Sequence, residues 1–465
     1  MTAEKTKKRT GFKLPHLMIL MLGLLIFMSL MTYIIPAGTF ATRADGTLDG
    51  SSFQLLGYQT PVTPWQAMLS ILTGLQNSSY VIAVLLVNGG AIGVILGTKA
   101  IDRLVDYALY RLKDKGIVVL VPAVVFIMGL VGAFGFGDHL VALVPVGVML
   151  ARKLRLDPLV AIGLTGLAVL MGASWSPTAI IVPWTMMGVP LFSGFAVRFC
   201  MMLLITALTS LLVTRYALKI HKDPTRSLTG NTDWLTADTG ESKELAATTL
   251  RTTDILINLC FFGQYLLIVL CMSVLGMPNS VQPAIMILSC LLCGLLAGWD
   301  FDKIGNAFAA GCGGMAFICF IIGVANAMSL VMTQGNIMHT IVYYACLPLQ
   351  KLGSGLAAVG ISVVITLINF LIPSMSAKAA ILIPIVKPMC EALSLTAQVG
   401  VQAFQIGDQF TNALTPISGF ILGACTMAGV SFDKYFKFAI RVVAPLWAIS
   451  LVVLYVLSSI GWTGL

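Results

Sequence analysis

IPSMSAKAAILIP at residues 372–384 and AFQIGDQFTNALTPISG at 403–419 are polar interruptions in an otherwise apolar chain. An ionisable side chain at bilayer depth costs about 3 kcal/mol on insertion scales. Ser374, Ser376, Lys378, Asp408, Thr411, Asn412 and Thr415 are therefore expected to face protein or water and not lipid. Together they read as half of a binding site, and the rest of the chain reads as its frame.

Composition sets the class. The 465 residues are 58% hydrophobic and 10% charged, with mean hydropathy +0.95, which is too little charge to cover a soluble surface. The chain reads as an all-α polytopic membrane protein. Its net charge of +9 sits in short clusters between apolar spans, where Lys and Arg set membrane orientation, so no nucleic-acid partner is expected. The ten Cys lie mostly in apolar segments and read as small packing residues, with no metal, redox role or cofactor expected. The basic start MTAEKTKKRTGFKLPH precedes an apolar run too long for a signal-peptide core, so it reads as a retained first span with a cytoplasmic N-terminus.

Orientation follows from the basic residues. Leu17–Ile35 crosses outward, 36–64 lie outside, Pro64–Gln76 forms a short surface helix, and Tyr80–Thr98 returns. Residues 117–150 are flanked by basic clusters at both ends and broken at GAFGFGDHL (132–140). The simplest reading is a re-entrant hairpin whose irregular tip lines a cavity; two short full spans are the alternative. A broken helix follows over 159–187, interrupted at GASWSPT (172–178), where Pro177 removes a backbone donor and restricts Ser176. Phe195–Lys219 returns to the cytoplasm, and 220–251 is the one polar linker. In the second half Ile255–Leu275, Ile285–Trp299 and Ala307–Met332 cross, and Asn336–Lys351 is amphipathic. A second hairpin over 356–390 and a second broken helix over 395–427, carrying Pro416, precede the closing span Phe438–Ser459. About nine spans plus two hairpins place 23 of the 28 Lys and Arg on the cytoplasmic side.

The two halves, 1–219 and 252–465, align as repeats. LVPV at 143–146 matches LIPI at 382–385, Leu154 and Leu156 match Leu393 and Leu395, and Ser176-Pro177 matches Thr415-Pro416, all at an offset of 239 residues. Gly188-Val189 and Gly429-Val430 match after a two-residue shift. On this topology the copies are inverted, as in secondary transporters whose broken helices meet at the midplane.

The start FKLPHLMILMLGLLIFMSLMTYIIPAGTF, the tip INFLIPSMSAKAA, and AFQIGDQFTNALTPISG followed by GVSFDKYFKF resemble the YfcC-like branch of the C4-dicarboxylate anaerobic carrier family, within the ion transporter superfamily. The resemblance covers nearly the whole chain. It implies a carrier of the bacterial inner membrane with a scaffold and a transport domain, dimeric, working by an elevator-like shift. Its members are associated with dicarboxylates and, in places, with basic amino acids such as arginine exchanged for ornithine.

The residues suggest the same chemistry independently. Hairpin tips and unwound helices expose backbone N–H groups at half-helix N-termini, where a carboxylate is stabilised. Gly135 and Gly137 give the first tip that irregular backbone. Ser174, Ser176, Thr178, Ser374, Ser376, Thr411 and Thr415 add hydroxyls, and Asn412 both donates and accepts, which suits a small carboxylate substrate. Asp138 and Asp408 are candidates for binding Na+, carrying a proton or pairing with a substrate cation, and a buried pair with Lys378 is the structural alternative. Lys378 reads either as an anchor for a substrate carboxylate or as an internal counter-ion. His139 reads as a hydrogen-bonding residue or a proton relay. A hydrolase built from Ser174, His139 and Asp138 lacks any G-x-S-x-G elbow, so no enzyme is expected. Paired hairpins and broken helices favour alternating access over a channel.

Overall fold

The computed structural model describes residues 17–42, 49, 52–112, 116–134, 138–178, 180–190, 192–230, 250–271, 275, 277–278, 280–372 and 374–464. Most of the linker, 231–249, lies outside them, as do Gly135 and Gly137. Nearly all regular structure is helical, as the hydropathy requires: in lipid a backbone satisfied within its own segment is a helix.

The first half runs α1 (Leu17–Ile34), α2 (Pro64–Asn77), α3 (Ser79–Gly97), α4 (Ala100–Leu112), α5 (Gly116–Phe134) and α6 (Val144–Lys153). The first broken helix follows as α7 (Pro158–Ile162), a π-turn (Gly163–Leu167), α8 (Ala168–Ala173) and α9 (Ile181–Met187). It ends with α10 (Phe195–Lys222). The second half runs α11 (Thr252–Val269), α12 (Val281–Leu296), α13 (Phe301–Gln334), α14 (Met338–Cys346), α15 (Ser354–Asn369), α16 (Met375–Ala392), α17 (Ala397–Asn412), α18 (Gly419–Ala428) and α19 (Phe432–Ser459).

By length and composition, α3, α5, α10, α13 and α19 are each able to cross a bilayer. Three elements differ from the sequence reading. The 34 residues of α13 extend well past the expected span because Asp300 caps its start, accepting from Lys303 N at 2.7 Å. Residues 36–64 are not plain loop: β1 (Gly38–Thr39) pairs antiparallel with β2 (Gln54–Leu55), a two-residue ladder too short to show a period. Phe53 from this strap stacks on Tyr343 of α14 at 4.1 Å. The first broken helix also carries its π-turn, in a stretch with two glycines, ahead of the break itself.

The helices sort into two packed groups. In one, α2 and α3 lie on α13. Gly89 and Gly311 bring their backbones so close that a Cβ at position 311 would sit 2.3 Å from the Gly89 carbonyl oxygen, the small-residue packing expected where lipid provides no hydrophobic drive. In the other, α5 packs on α8 and α10, α15 on α17, and α16 on α9. The α5–α8 contact is closer still: a Cβ at Gly172 would fall 1.9 Å from the Gly129 oxygen.

The repeat is visible in the backbone. α8 ends at Ala173 and α17 at Asn412, positions related by the 239-residue offset, and each is followed by an unwound stretch containing Pro177 or Pro416. Arg155 and Ser394, related by the same offset, both take left-handed conformations, with φ of 51° and 55°. Gly188 and Gly429 end α9 and α18 with φ of 72° and 66°. The thiols of Cys290 and Cys293, three residues apart on α12, are both free.

Candidate functional site

The second hairpin and the second broken helix meet at a buried ion pair. α15 ends at Asn369, and α16 starts at Met375 with Ser374 as its cap, the Ser374 hydroxyl oxygen accepting from Ala377 N at 3.4 Å. Lys378 therefore sits in the first turn of α16, and its ammonium lies 2.5 Å from Asp408 Oδ1 on α17; both side chains are fully buried. Lys378 also donates to Asn369 Oδ1 and to the Ile372 carbonyl, the latter at 3.3 Å. The other carboxylate oxygen of Asp408 accepts from Gln409 Nε2 at 2.8 Å and from Asn412 Nδ2 at 3.4 Å. Asn369 Nδ2 donates to Asn412 Oδ1 at 2.8 Å and to the Asp408 carbonyl at 3.1 Å. Five side chains thus close one network. Burying a charge is costly unless it is paired and hydrogen-bonded, and here both charges are.

The first repeat brings a different set together. Ser176 Oγ and Thr178 Oγ1 both donate to the carbonyl of Ala133, the penultimate residue of α5, the second at 3.2 Å. These contacts tie the first break to the arm of the first hairpin. From α17, Gln405 Nε2 donates to the carbonyls of Ala173 at 3.0 Å and Ser176 at 3.2 Å, filling acceptors that the unwound helix leaves open. Gln405 Oε1 in turn accepts from Arg198 Nη1 at 2.6 Å.

Other expected residues are placed as follows. Ser174 and Thr411 donate to carbonyls of their own helices, Met171 and Gly407, each at 2.6 Å, the back-bonding open to any buried hydroxyl. Thr415 is buried in the second break, its hydroxyl oxygen accepting from Ile417 N at 3.3 Å. Asp138 and His139 open a 3-10 turn, Asp138–Leu143, and Ser376 lies in the first turn of α16; their side chains lie outside the described residues. No cluster of three metal-ligating side chains occurs among the described residues.

Sequence reasoning missed Asn369, Gln405, Gln409 and Arg198. A signal for two of them was present. Gln398, Gln402, Gln405 and Gln409 recur at helical spacing along α17, where every residue from 398 to 411 is buried, and a row of amides on one buried helix face calls for polar partners, which all but Gln402 find.

The family description of the C4-dicarboxylate anaerobic carrier matches residues 14–459. The chain belongs to that family. It is 24% identical over 501 aligned positions to the putative basic amino acid antiporter YfcC of Escherichia coli strain K12, covering 98% of this chain and 99% of that protein. It is also 23% identical over 406 positions to an uncharacterized protein of Haemophilus influenzae strain Rd, covering 84% and 78%. Among solved structures it is similar to the YdaH transporter of Alcanivorax borkumensis and to MtrF of Neisseria gonorrhoeae, described as one of a class of antimetabolite efflux pumps. Each is 17% identical with a TM-score of 0.48, covering 97% of this chain and 100% and 96% of the respective relatives. The chain is a multi-pass membrane transporter of this family.

Proposed function

We propose that this carrier moves a small carboxylate-bearing metabolite of the C4-dicarboxylate class across the bacterial inner membrane, coupled through the Lys378–Asp408 pair. That pair carries the reading. In the closed network Asp408 is the partner of Lys378; an incoming substrate carboxylate takes the ammonium over, and the released Asp408 is then neutralised by a proton or Na+. Binding of substrate and of coupling ion thereby favour one another, which is the requirement for coupled transport. The α16 and α18 N-termini, capped by Ser374 and Ser418, add backbone donors suited to carboxylate oxygens.

The halves 1–219 and 252–465 act as inverted repeats, with the N-terminus cytoplasmic. The α5–α10 and α15–α19 group is the moving body of an elevator, working in a homodimer against the α2, α3 and α13 group. An apolar gap of about 350 Å³ between the groups, lined by Gly89, Gly93, Pro145, Gly311 and Met427, supports such a shift because it offers a smooth, weakly bonded surface.

The test is radiolabelled uptake into proteoliposomes of dicarboxylates and basic amino acids, with wild type and Lys378→Gln. Wild type accumulates dicarboxylate. Lys378→Gln weakens it by on the order of 2 kcal/mol, the worth of a charge-assisted hydrogen bond to a buried anion. Uptake confined to basic amino acids, or dicarboxylate uptake unaffected by the substitution, refutes the reading.

A further inference from the structure

A second buried cation, far less satisfied than Lys378, is also held by a side chain of α17. Arg198, in the first turn of α10, is fully buried. Its Nη1 donates to Gln405, while Nε and Nη2 have no hydrogen-bond partner. No ion pair among the described residues includes it. The guanidinium carbon lies 5.3 Å from the ring centroid of Trp184 and 5.7 Å from that of Trp462. The indole N–H groups of both rings are buried without partners as well. Four donor nitrogens with no acceptor thus belong to one guanidinium and the two indoles beside it. A desolvated guanidinium between aromatic faces gains something from the rings, but its unused donors still lack what water would have given them.

The unused edge has a definite shape. Nε–H and its neighbouring Nη2–H point the same way on one side of the planar group, the fork that receives both oxygens of a carboxylate. We propose that this edge of Arg198 seats a carboxylate, and that it is a second anionic anchor for the transported metabolite, resting to that extent on the carboxylate-carrier reading. Two such anchors, both held from α17, would receive a molecule with two carboxylates. Gln405, which holds Arg198, and Asp408, which holds Lys378, are three residues apart on α17, so their side chains leave the helix one turn apart and about 60° around its axis. One wall of the Arg198 site is a segment outside the helices, held at its edges by hydrogen bonds that include Gly194 N to the Gly464 carbonyl at 2.8 Å. Trp462 lies beyond the end of α19, packed against Gly194, where a Cβ would meet its ring at 2.5 Å, and Thr396 Oγ1 donates to its carbonyl at a short distance. Access to the fork in this proposal comes from displacing that segment, which breaks those edge hydrogen bonds and leaves the helices wound.

Intrinsic tryptophan fluorescence of the purified full chain, titrated at constant ionic strength with succinate, acetate and chloride, reads the site because two of its walls are indoles. Succinate gives a saturable change, acetate a weaker one, and chloride, with no fork to match, the weakest. Arg198→Lys keeps the charge but loses the bidentate edge, and lowers succinate affinity about tenfold or more while leaving chloride unchanged. Arg198→Gln lowers all three; if it fails to fold by size exclusion, the Lys variant decides alone. Wild-type succinate affinity in Arg198→Lys, or chloride matching succinate in wild type, overturns the assignment. Failure of the functional reading looks different: a wild type that binds succinate through Arg198 but transports no carboxylate retains the site and loses the function. Transport with KM and binding untouched by Arg198→Lys retains the function and loses the site.

Discussion

The two repeats share a backbone and differ in chemistry. Both have a helical hairpin packed on a helix that unwinds at an equivalent position, and both turn on left-handed residues at matching places: Arg155 with Ser394, and Gly188 with Gly429. Yet the first break is closed by neutral groups, Ser176 and Thr178 on the Ala133 carbonyl, and Gln405 on those of Ala173 and Ser176. The second is closed by a charge pair with its amide shell. Symmetry therefore gives two unwound helices, and the asymmetry of side chains places a buried ion pair beside the second of them. A neutral closure is inexpensive to open, whereas an ion pair opens only when another charge replaces one partner, which is why the proposed coupling is assigned to the second repeat.

The largest expected effect tests that difference directly. Asp408→Asn leaves the Lys378 ammonium buried with only Asn369 and a carbonyl, and breaking a buried pair from one side costs about 3–5 kcal/mol. Gradient-driven accumulation is abolished in vesicles while some exchange persists, and thermal unfolding in detergent shows the lost stability. The double substitution Asp408→Asn with Lys378→Gln recovers most of the stability and none of the accumulation. Equal stability of single and double variants means that the pair is not what closes the second break.

Gln405→Leu is the counterpart on the neutral side. It strips donors from two carbonyls and an acceptor from Arg198, so the expected loss is about 1–3 kcal/mol. Substrate affinity falls while the response of transport to the driving gradient is retained, because no group that changes charge has been touched. Loss of that response would show that coupling is shared between the breaks. Ser176→Ala is milder, about 1 kcal/mol by detergent melting, since Thr178 still donates to the Ala133 oxygen.

How much of this was readable follows from what each feature needs. Breaks and hairpins need only Pro, Gly and basic flanks, which are local, so the boundaries at Ala173 and Asn412 fall close to where GASWSPT and NALTP place them. The Lys378–Asp408 pairing joins residues thirty positions apart, and the sequence showed two opposite charges at depth without deciding between partnership and separate roles. Asn369 sits in the quoted tip motif but looks like any helix-end amide until Lys378 reaches back to it. Arg198 is only one of the five Lys and Arg that the expected topology leaves off the cytoplasmic side, which marks no site by itself. Its partners Gln405, Trp184 and Trp462 come from three other segments, and no periodicity links them.

The smallest effect tests the shared backbone alone. Gly188 and Gly429 each end a helix in the left-handed region. A Cβ at Gly429 would meet nothing within 4 Å, and at Gly188 only the flexible Lys387 Nζ at 3.6 Å. Neither substitution to Ala therefore creates a clash. The cost is the left-handed conformation itself, about 1–2 kcal/mol for an L-residue, partly offset by the entropy that the unfolded chain loses when Gly becomes Ala. Gly188→Ala and Gly429→Ala should each destabilise by about 1 kcal/mol, the two values agreeing within about 0.5 kcal/mol, and Asn at either position should cost less because it tolerates this region. If the turns are twins, the two alanine variants shift the melting temperature in detergent equally and leave the dicarboxylate affinity unchanged. A large cost at one site and none at the other would mean that only one of these turns holds its conformation in the folded carrier, and the repeat would then be a likeness of sequence without a likeness of backbone.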